Sequence, residues 1–221
     1  MNDLTLIIPA KFEKESLPTV LKELEKYRVK TLVILEKTDE DTINAIQNLR
    51  CNICYQDNVG YGDALIKGIH EVSTKFFCIF NADGSFDPSE LDGMYSLANY
   101  DGVDFVFGSR YMKNAGSEDD TFITFVGNKI FTFLGNLFFS LNISDILYTY
   151  VLGNADKAKS LNLIQRDFGF CVELPIKANR EKFTLKSSPS YERPRIGGKK
   201  KVNAFRDGFK ILIKMIKLYF S

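Results

Sequence analysis

The chain has 221 residues, of which 45% are apolar and 26% charged, with a formal net charge of +1. That is the length of one domain, or one domain with an appendage, and the composition of a folded globular protein. It excludes a disordered chain, a collagen and a coiled-coil rod, and a lone histidine argues against His-based acid–base or triad chemistry, leaving carboxylates, cations and a metal as the available catalysts.

Leu4–Pro9 is a short apolar run that reads as a strand, and Leu17, Val20, Leu21, Leu24 and Tyr27 follow at helical spacing. Residues 31–35 form a second strand, Ile43, Ile46 and Leu49 mark a second helix, and Asn52–Tyr55 is a third strand. A glycine-punctuated turn then leads into a helix from about Asp63. Residues 75–80 make a fourth strand ending in the polar turn NADGSFDP, whose Pro88 suits the first turn of the next helix. A fifth strand covers 103–107. Repeated β-α-β units of this length predict an α/β fold with a mainly parallel central sheet flanked by helices, and ligands of such sheets bind at the carboxyl ends of the strands.

The second half is less regular. Residues 122–141, rich in Phe and Leu, predict a helix that packs on the body or faces a lipid. A further helix is expected over 166–180, a strand over 183–187, a basic loop at SYERPRIGGKKK and a basic amphipathic helix over 205–220. The natural division is a body of residues 1–190 and an appendage of 191–221. Residues 178–221 carry twelve Lys and Arg against three Asp and Glu, so +9; the seventeen basic and twenty-five acidic residues of 1–177 leave that part at −8. A basic tail on an acidic body points to an anionic surface or ligand at the C-terminal end. The longest uncharged stretch, 130–144, has fifteen residues and falls short of the ~20 needed to cross a bilayer. Neither a spanning helix nor a signal peptide is expected.

Cys51 and Cys54 form a C-x-x-C, but no second pair follows at zinc-ribbon spacing, so buried thiols are the expectation. DNVGYGDALIKG has Leu65 where a dinucleotide fingerprint needs its third glycine and follows the third strand rather than the first. Its glycines shape a tight turn or allow a nucleotide close approach. NADGSFDPSELD looks like a calcium loop but has Phe86 where the loop needs glycine. Asp83, just past a buried strand, suits a different metal: Mg2+ or Mn2+ takes one or two carboxylates and completes its shell with phosphate and water.

Taken in order, these segments resemble the family 2 glycosyltransferases of the glycosyltransferase A fold, especially the dolichyl- and polyprenyl-phosphate sugar transferases. LTLIIPAKFEKESLP looks like the opening strand, NVGYGDALIKGI is similar to N-x-G-x-G-x-A-x-x-x-G-I, FNADGSFDPSEL to D-A-D-G-x-x-x-P and FGSRY to G-S-R-Y. LVILEKTDEDT falls where a V-V-D-D-G-S-T-D segment is expected; VGNKIF and ISDILYTYV resemble the middle segments, and YERPRIGGKKKVNAFRDG the closing one. The chain departs from the pattern at Asn81 for the first Asp of the metal turn, at Leu35 and Glu36 for an Asp pair, at Val151 for a basic residue, and at Lys200 for a Ser.

The resemblance implies an inverting transfer of a sugar from a nucleotide-diphosphate donor to a polyprenyl phosphate. The alternatives it leaves are a hydroxyl of a glycan or glycolipid in cell-surface polysaccharide assembly, and a non-catalytic member that only binds nucleotide sugar. It implies Pro9, Glu13, Glu36, Gly62, Asp63, Asn81 and Ala82 as nucleotide-sugar contacts, and Asp83 with Asn81 as ligands of Mg2+ or Mn2+. It further implies Arg110 at phosphate and Asp145 as base on the acceptor side. A phosphate acceptor is already an anion and needs no strong base. Arg193, Arg195, Lys199 and Lys201 would clamp a lipid phosphate or rest on an anionic leaflet. The expected setting is cytoplasmic and peripheral at the inner face of a membrane. An integral membrane partner or a homo-oligomer is a further expectation, and nucleic acid is not.

Overall fold

A computed structural model describes residues 1–197 and 203–220; Lys199, Lys200 and Lys201 of the closing segment lie outside them. The chain runs through β1 (Leu4–Pro9), α1 (Leu17–Leu24), β2 (Lys30–Leu35), α2 (Glu40–Ile46), β3 (Asn52–Tyr55), α3 (Tyr61–Glu71) and β4 (Phe76–Ile79). It continues through α4 (Leu91–Asn99), β5 (Phe105–Ser109), β6 (Gly116–Ser117), α5 (Phe122–Phe139), β7 (Val151–Asn154), α6 (Ala155–Ser160), α7 (Phe170–Arg180), β8 (Leu185–Pro189), β9 (Tyr191–Glu192) and α8 (Ala204–Phe220).

Seven strands form one sheet in the order β3-β2-β1-β4-β7-β5-β8, and β6 pairs with β9 in a separate ribbon. All neighbours in the large sheet are parallel except β7, which runs antiparallel between β4 and β5. Alternate strand residues feed two cores. Ile7, Ile34, Phe77, Phe105 and Phe107 meet α3, α6, α7 and α8 on one face. Leu6, Ile8, Val33, Cys78 and Val106 meet α1, α2 and α4 on the other. Ile211, Met215 and Leu218 of α8 belong to the first core, so the last helix is integral to the body.

The mainly parallel sheet flanked by helices is as the β-α-β rhythm predicts. The sequence reading lacked β7 and α6. Residues 141–150 carry no helical or alternating signal, yet most are buried, and they deliver Val151 opposite Phe107. Gly153 permits the insertion: a Cβ there would lie 2.5 Å from the Phe105 ring and 2.9 Å from that of Phe77. The helix expected from residue 166 begins at Phe170, because the preceding segment docks against the start of α3. Helix α5 is long and apolar enough to cross a membrane by length and composition, contrary to expectation; its single charge, Lys129, broke the uncharged run without ending the apolar one. Cys51 and Cys54 pack toward opposite faces of the sheet and are free thiols, which explains a C-x-x-C with no bridge.

Candidate functional site

The strand order reverses between β1 and β4, and a cleft of about 700 Å³ opens at the carboxyl ends of the strands there. Four strand exits line it: Pro9 and Glu13 after β1, Glu36 after β2, Asn81, Ala82 and Asp83 after β4, and Arg110 after β5. The starts of α5 and α8 form more of the wall, through Thr124, Asn128, Arg206 and Lys210. Eight carboxylates and five Lys or Arg side chains line the cleft among the described residues. An entering diphosphate therefore meets an excess of negative charge unless a cation accompanies it.

The β1 exit is held open by groups from α2. Asp39 caps that helix, its Oδ1 accepting the Thr42 N–H, while its Oδ2 accepts the Phe12 N–H at 2.6 Å. The Thr42 hydroxyl accepts the Glu13 N–H at 3.0 Å, and Ser16 donates to the Glu13 carboxylate at 2.7 Å. Lys11 Nζ lies 2.7 Å from Glu36, so two residues at the ends of neighbouring strands form an ion pair on the cleft wall.

The Asp83 turn is tight because Gly84 sits at φ +84°, a region closed to most side chains, and because Ile196 occupies the space its Cβ would need, 2.5 Å away. Ile196 N–H donates to Asp83 O and Arg193 N–H to Ser85 O, both at 2.8 Å, so residues 193–196 strap the turn. Asp83 Oδ1 accepts the Ser85 N–H at 3.0 Å, and Oδ2 lies 3.4 Å from the Arg195 guanidinium, which also grips Asp119 at 3.1 Å. Burial opposes the charge on Arg195, but Asp119 and Asp83 outweigh it and hold the guanidinium firmly protonated. Asn81 turns its amide nitrogen to Ser85 at 3.3 Å. Among the described residues no three His, Cys, Asp or Glu side chains gather as a ligand set. Asp83 and Asn81 share the β4 exit on the cleft wall, and a divalent cation held there would draw its other ligands from phosphate and water. Arg195 already stands as a cation beside Asp83.

Arg110 is the centre of a second cluster. Its Nε is 2.7 Å and its Nη2 3.1 Å from the two oxygens of Asp145; Nη1 is 3.3 Å from Glu192 and 3.6 Å from Asp120. Tyr148 lies against it, 4.6 Å from ring centre to guanidinium. The ribbon of β6 and β9 brings Ser117 and Glu192 together at 2.5 Å beside this cluster. Burial raises the Glu192 carboxyl above its ordinary value, more than Arg110 and Ser117 lower it. Cys171, also on the wall, is pushed up to about 12 by burial and is no nucleophile.

Pro9, Glu13, Glu36, Asn81, Ala82, Asp83, Arg110 and Arg195 therefore share the cleft. Four other residues do not do what the resemblance implies. Asp145 is 0% exposed, does not line the cleft, and has both oxygens on Arg110, so it cannot reach an acceptor and instead positions that guanidinium. Gly62 packs on the 165–167 segment: its Cβ would stand 2.1 Å from Gln165 O and 2.7 Å from Asp167 O. Asp63 accepts the Asn58 N–H at 2.9 Å and faces a separate hollow of about 310 Å³ beside Lys67 and Arg166. Arg193 makes a bidentate pair with Glu23 at 2.9 and 3.0 Å and donates to Phe86 O, which ties the strap to α1 rather than to a phosphate. Lys199 and Lys201 fall outside the described residues. Sequence reasoning missed Asp119, Asp120, Asn128, Arg206, Lys210 and Glu192; of these, Glu192 and Arg206 lie within the closing segment and Asn128 within VGNKIF, while Asp119 and Asp120 lie in none of the family-like segments.

Gly62→Ala is expected to displace the 165–167 segment and cost about 1–3 kcal/mol. Thermal melting should show that loss with nucleotide-sugar affinity changed little, whereas a glycine cradling the donor would lose affinity first.

Residues 5–161 match the family model described as Glycosyl transferase family 2. Uncharacterised glycosyltransferases of Mycobacterium tuberculosis and Mycobacterium bovis are 26% identical over 211 residues, covering 95% of this chain and 94% of theirs. An uncharacterised protein of Methanocaldococcus jannaschii is 23% identical, covering 97% of this chain and 91% of its own. Among solved structures, glucosyl-3-phosphoglycerate synthase of M. tuberculosis, in complex with Mn2+, uridine diphosphate and glucosyl-3-phosphoglycerate, superimposes with a TM-score of 0.79. It is 11% identical, and the match covers 99% of this chain and 80% of that one. The same synthase with Mg2+ and uridine diphosphate gives a TM-score of 0.77 at 12% identity. At such identities the likeness establishes the fold.

Proposed function

The chain belongs to glycosyl transferase family 2 and is a glycosyltransferase that uses a nucleotide sugar; from that premise we propose that it transfers the sugar, with inversion, to the phosphate of a polyprenyl carrier at the inner face of a membrane. The observation that carries this reading is the arrangement of charge in the cleft, with Asp83 and Asn81 at one strand exit and Arg195, Arg206 and Lys210 on the wall beside them. Asp83 and Asn81 would hold Mg2+ or Mn2+, which when bound offsets the charge of the departing diphosphate. Glu13 and Glu36, fixed by Ser16 and Lys11, offer carboxylate acceptors to the hydroxyls and N–H groups of a nucleoside. Arg195 can exchange Asp83 for phosphate without leaving Asp119. An anionic acceptor needs no base, which agrees with the sealing of Asp145 under Arg110.

Glu192 favours a second reading. It is a carboxylate on the cleft wall, raised above its ordinary value by burial, and a hydroxyl acceptor on a glycan or glycolipid would require a base placed there.

A panel of nucleotide sugars tested for thermal stabilisation with and without Mn2+ identifies the donor. Transfer from that donor to a short-chain polyprenyl phosphate, unaffected by Glu192→Gln, is the expected result. Transfer only to hydroxyl acceptors, abolished by Glu192→Gln, would replace the first reading with the second. Stabilisation by donor equal with and without the metal would remove the metal from the mechanism.

A further inference from the structure

Helix α5 is built inside out. A helix on a soluble body turns its apolar stripe inward, but the only buried residues of these eighteen are Thr132 and Gly135. Polar contacts and close approach specify that inner face, flanked by the half-buried Phe131, Leu134 and Phe139. Thr132 Oγ1 accepts the Ile146 N–H at 3.2 Å, and Asn136 bonds both the N–H and the carbonyl of Ile143. A Cβ on Gly135 would stand 2.8 Å from Ile146. The outward face holds Phe122, Ile130, Phe133 and Leu137, with Phe122 81% and Phe133 63% exposed.

Helix α8 repeats the pattern. Asp207, Ile211, Met215 and Leu218 face the body. At 100° per residue, Phe205, Phe209, Ile216 and Phe220 fall on the opposite side, and all four are exposed, Phe205 by 78% and Phe220 by 81%. Arg206, Lys210, Lys214 and Lys217 run as a stripe along one flank. The helices lie side by side, Tyr219 packing edge-on against Phe138 and Phe139 at 5.7 and 6.0 Å, so the two outer stripes join. An apolar face of this extent marks an interaction surface.

The charge around the face selects its occupant. The sole acid on α5 and α8 is Asp207, which is buried and accepts the Asn203 N–H at 2.8 Å. Arg206 pairs with this Asp207 at 3.2 Å, while Lys129, Lys210, Lys214 and Lys217 stand without exposed acids on these helices. A second copy would set them against their own kind, whereas anionic headgroups neutralise them. The same helices line the cleft through Thr124, Asn128, Arg206 and Lys210, so whatever covers the outer face lies next to the cleft wall. Because Thr132 and Asn136 tie α5 to the body, the helix lies along a surface rather than across it.

We propose that the joined outer faces of α5 and α8 seat the protein on an anionic bilayer, apolar stripes in the acyl boundary and the lysines at headgroup level. This deepens the reading of a lipid-borne acceptor and rests on it for its purpose, though not for its test. The test is co-sedimentation of the full chain with phosphatidylglycerol-containing and with pure phosphatidylcholine vesicles, at low and at high salt. Wild type should partition onto the anionic vesicles and be partly released by salt. Phe133→Glu and Ile216→Glu should each lower partition about ten-fold, and Lys214→Glu with Lys217→Glu should abolish the salt-sensitive part. All three should keep the thermal stabilisation conferred by the nucleotide sugar, which shows that they fold. Indifference of wild type to both vesicles would overturn the proposal. So would a wild-type dimer in analytical ultracentrifugation that Phe133→Glu makes monomeric, since the face would then belong to a second copy. Vesicle binding without transfer to polyprenyl phosphate would remove only the acceptor reading, and transfer in detergent without vesicle binding only the docking surface.

Discussion

Arg110→Ala is expected to cost about 3–5 kcal/mol of stability, the size associated with breaking a buried ion pair from one side. In a chain of this length that lowers the melting temperature by roughly 6–20 °C. The guanidinium side chain is 8% exposed and serves three carboxylates, of which Asp145 is fully buried with no other side-chain partner of opposite charge among the described residues. Asp145→Asn should cost less, because Arg110 keeps Glu192 at 3.3 Å and Asp120 at 3.6 Å. Arg110→Lys should rescue little, since an ammonium cannot reproduce the two-point contact at 2.7 and 3.1 Å. The loss in Arg110→Ala also depends on pH. Glu192 already has a carboxyl raised above its ordinary 4.5 by burial, and Arg110 is the main influence opposing that rise. A carboxyl whose folded pKa lies above its unfolded value destabilises the fold once ionised, and the penalty disappears below the unfolded value. The variant should therefore be weakest at neutral pH and regain stability as pH falls toward the ordinary carboxylate range. Melting curves over a pH series check this. A variant as stable as wild type at neutral pH would show that the cluster is held by something other than these pairs.

Asp83→Asn is expected to lower turnover by roughly 10²–10³, as loss of a group stabilising developing charge does elsewhere, and to remove the metal dependence of donor binding. Stability should change by less than about 1 kcal/mol, because the amide oxygen still accepts the Ser85 N–H and Arg195 keeps Asp119. Asn81→Asp should act in the opposite sense. It places a second carboxylate at the same strand exit, and titration calorimetry with Mn2+ should show tighter binding. Donor binding indifferent both to Mn2+ and to Asp83 would mean that the turn has kept its shape and lost its metal.

The alternation of short apolar runs with helical spacing sufficed to find the first five strands along the chain and the ligand edge of a mainly parallel sheet, because strand and helix periods are local and the turns after parallel strands converge on one side; their order in space came from the structure. Asp83 was legible for that reason, just past a buried strand, whereas Glu13, Glu36 and Asn81 were legible only through the resemblance to family 2 glycosyltransferases. What side chains do once assembled depended on partners remote in the sequence. Asp145 and Arg110 meet across 35 residues, Arg110 and Glu192 across 82, and Arg193 and Glu23 across 170. Each pairing changed a role, from base to positioning group or from phosphate clamp to fastening of the strap. β7 was invisible because its position between β4 and β5 comes from the burial of residues 141–150 and the absence of a side chain at Gly153, not from any pattern of its own. The outward turn of α5 was likewise a tertiary decision. Its composition alone favours burial, but the hydrogen bonds of Thr132 and Asn136 and the close contact at Gly135 rotate the small and polar side inward, leaving Phe122, Phe125, Phe133 and Phe138 on the surface.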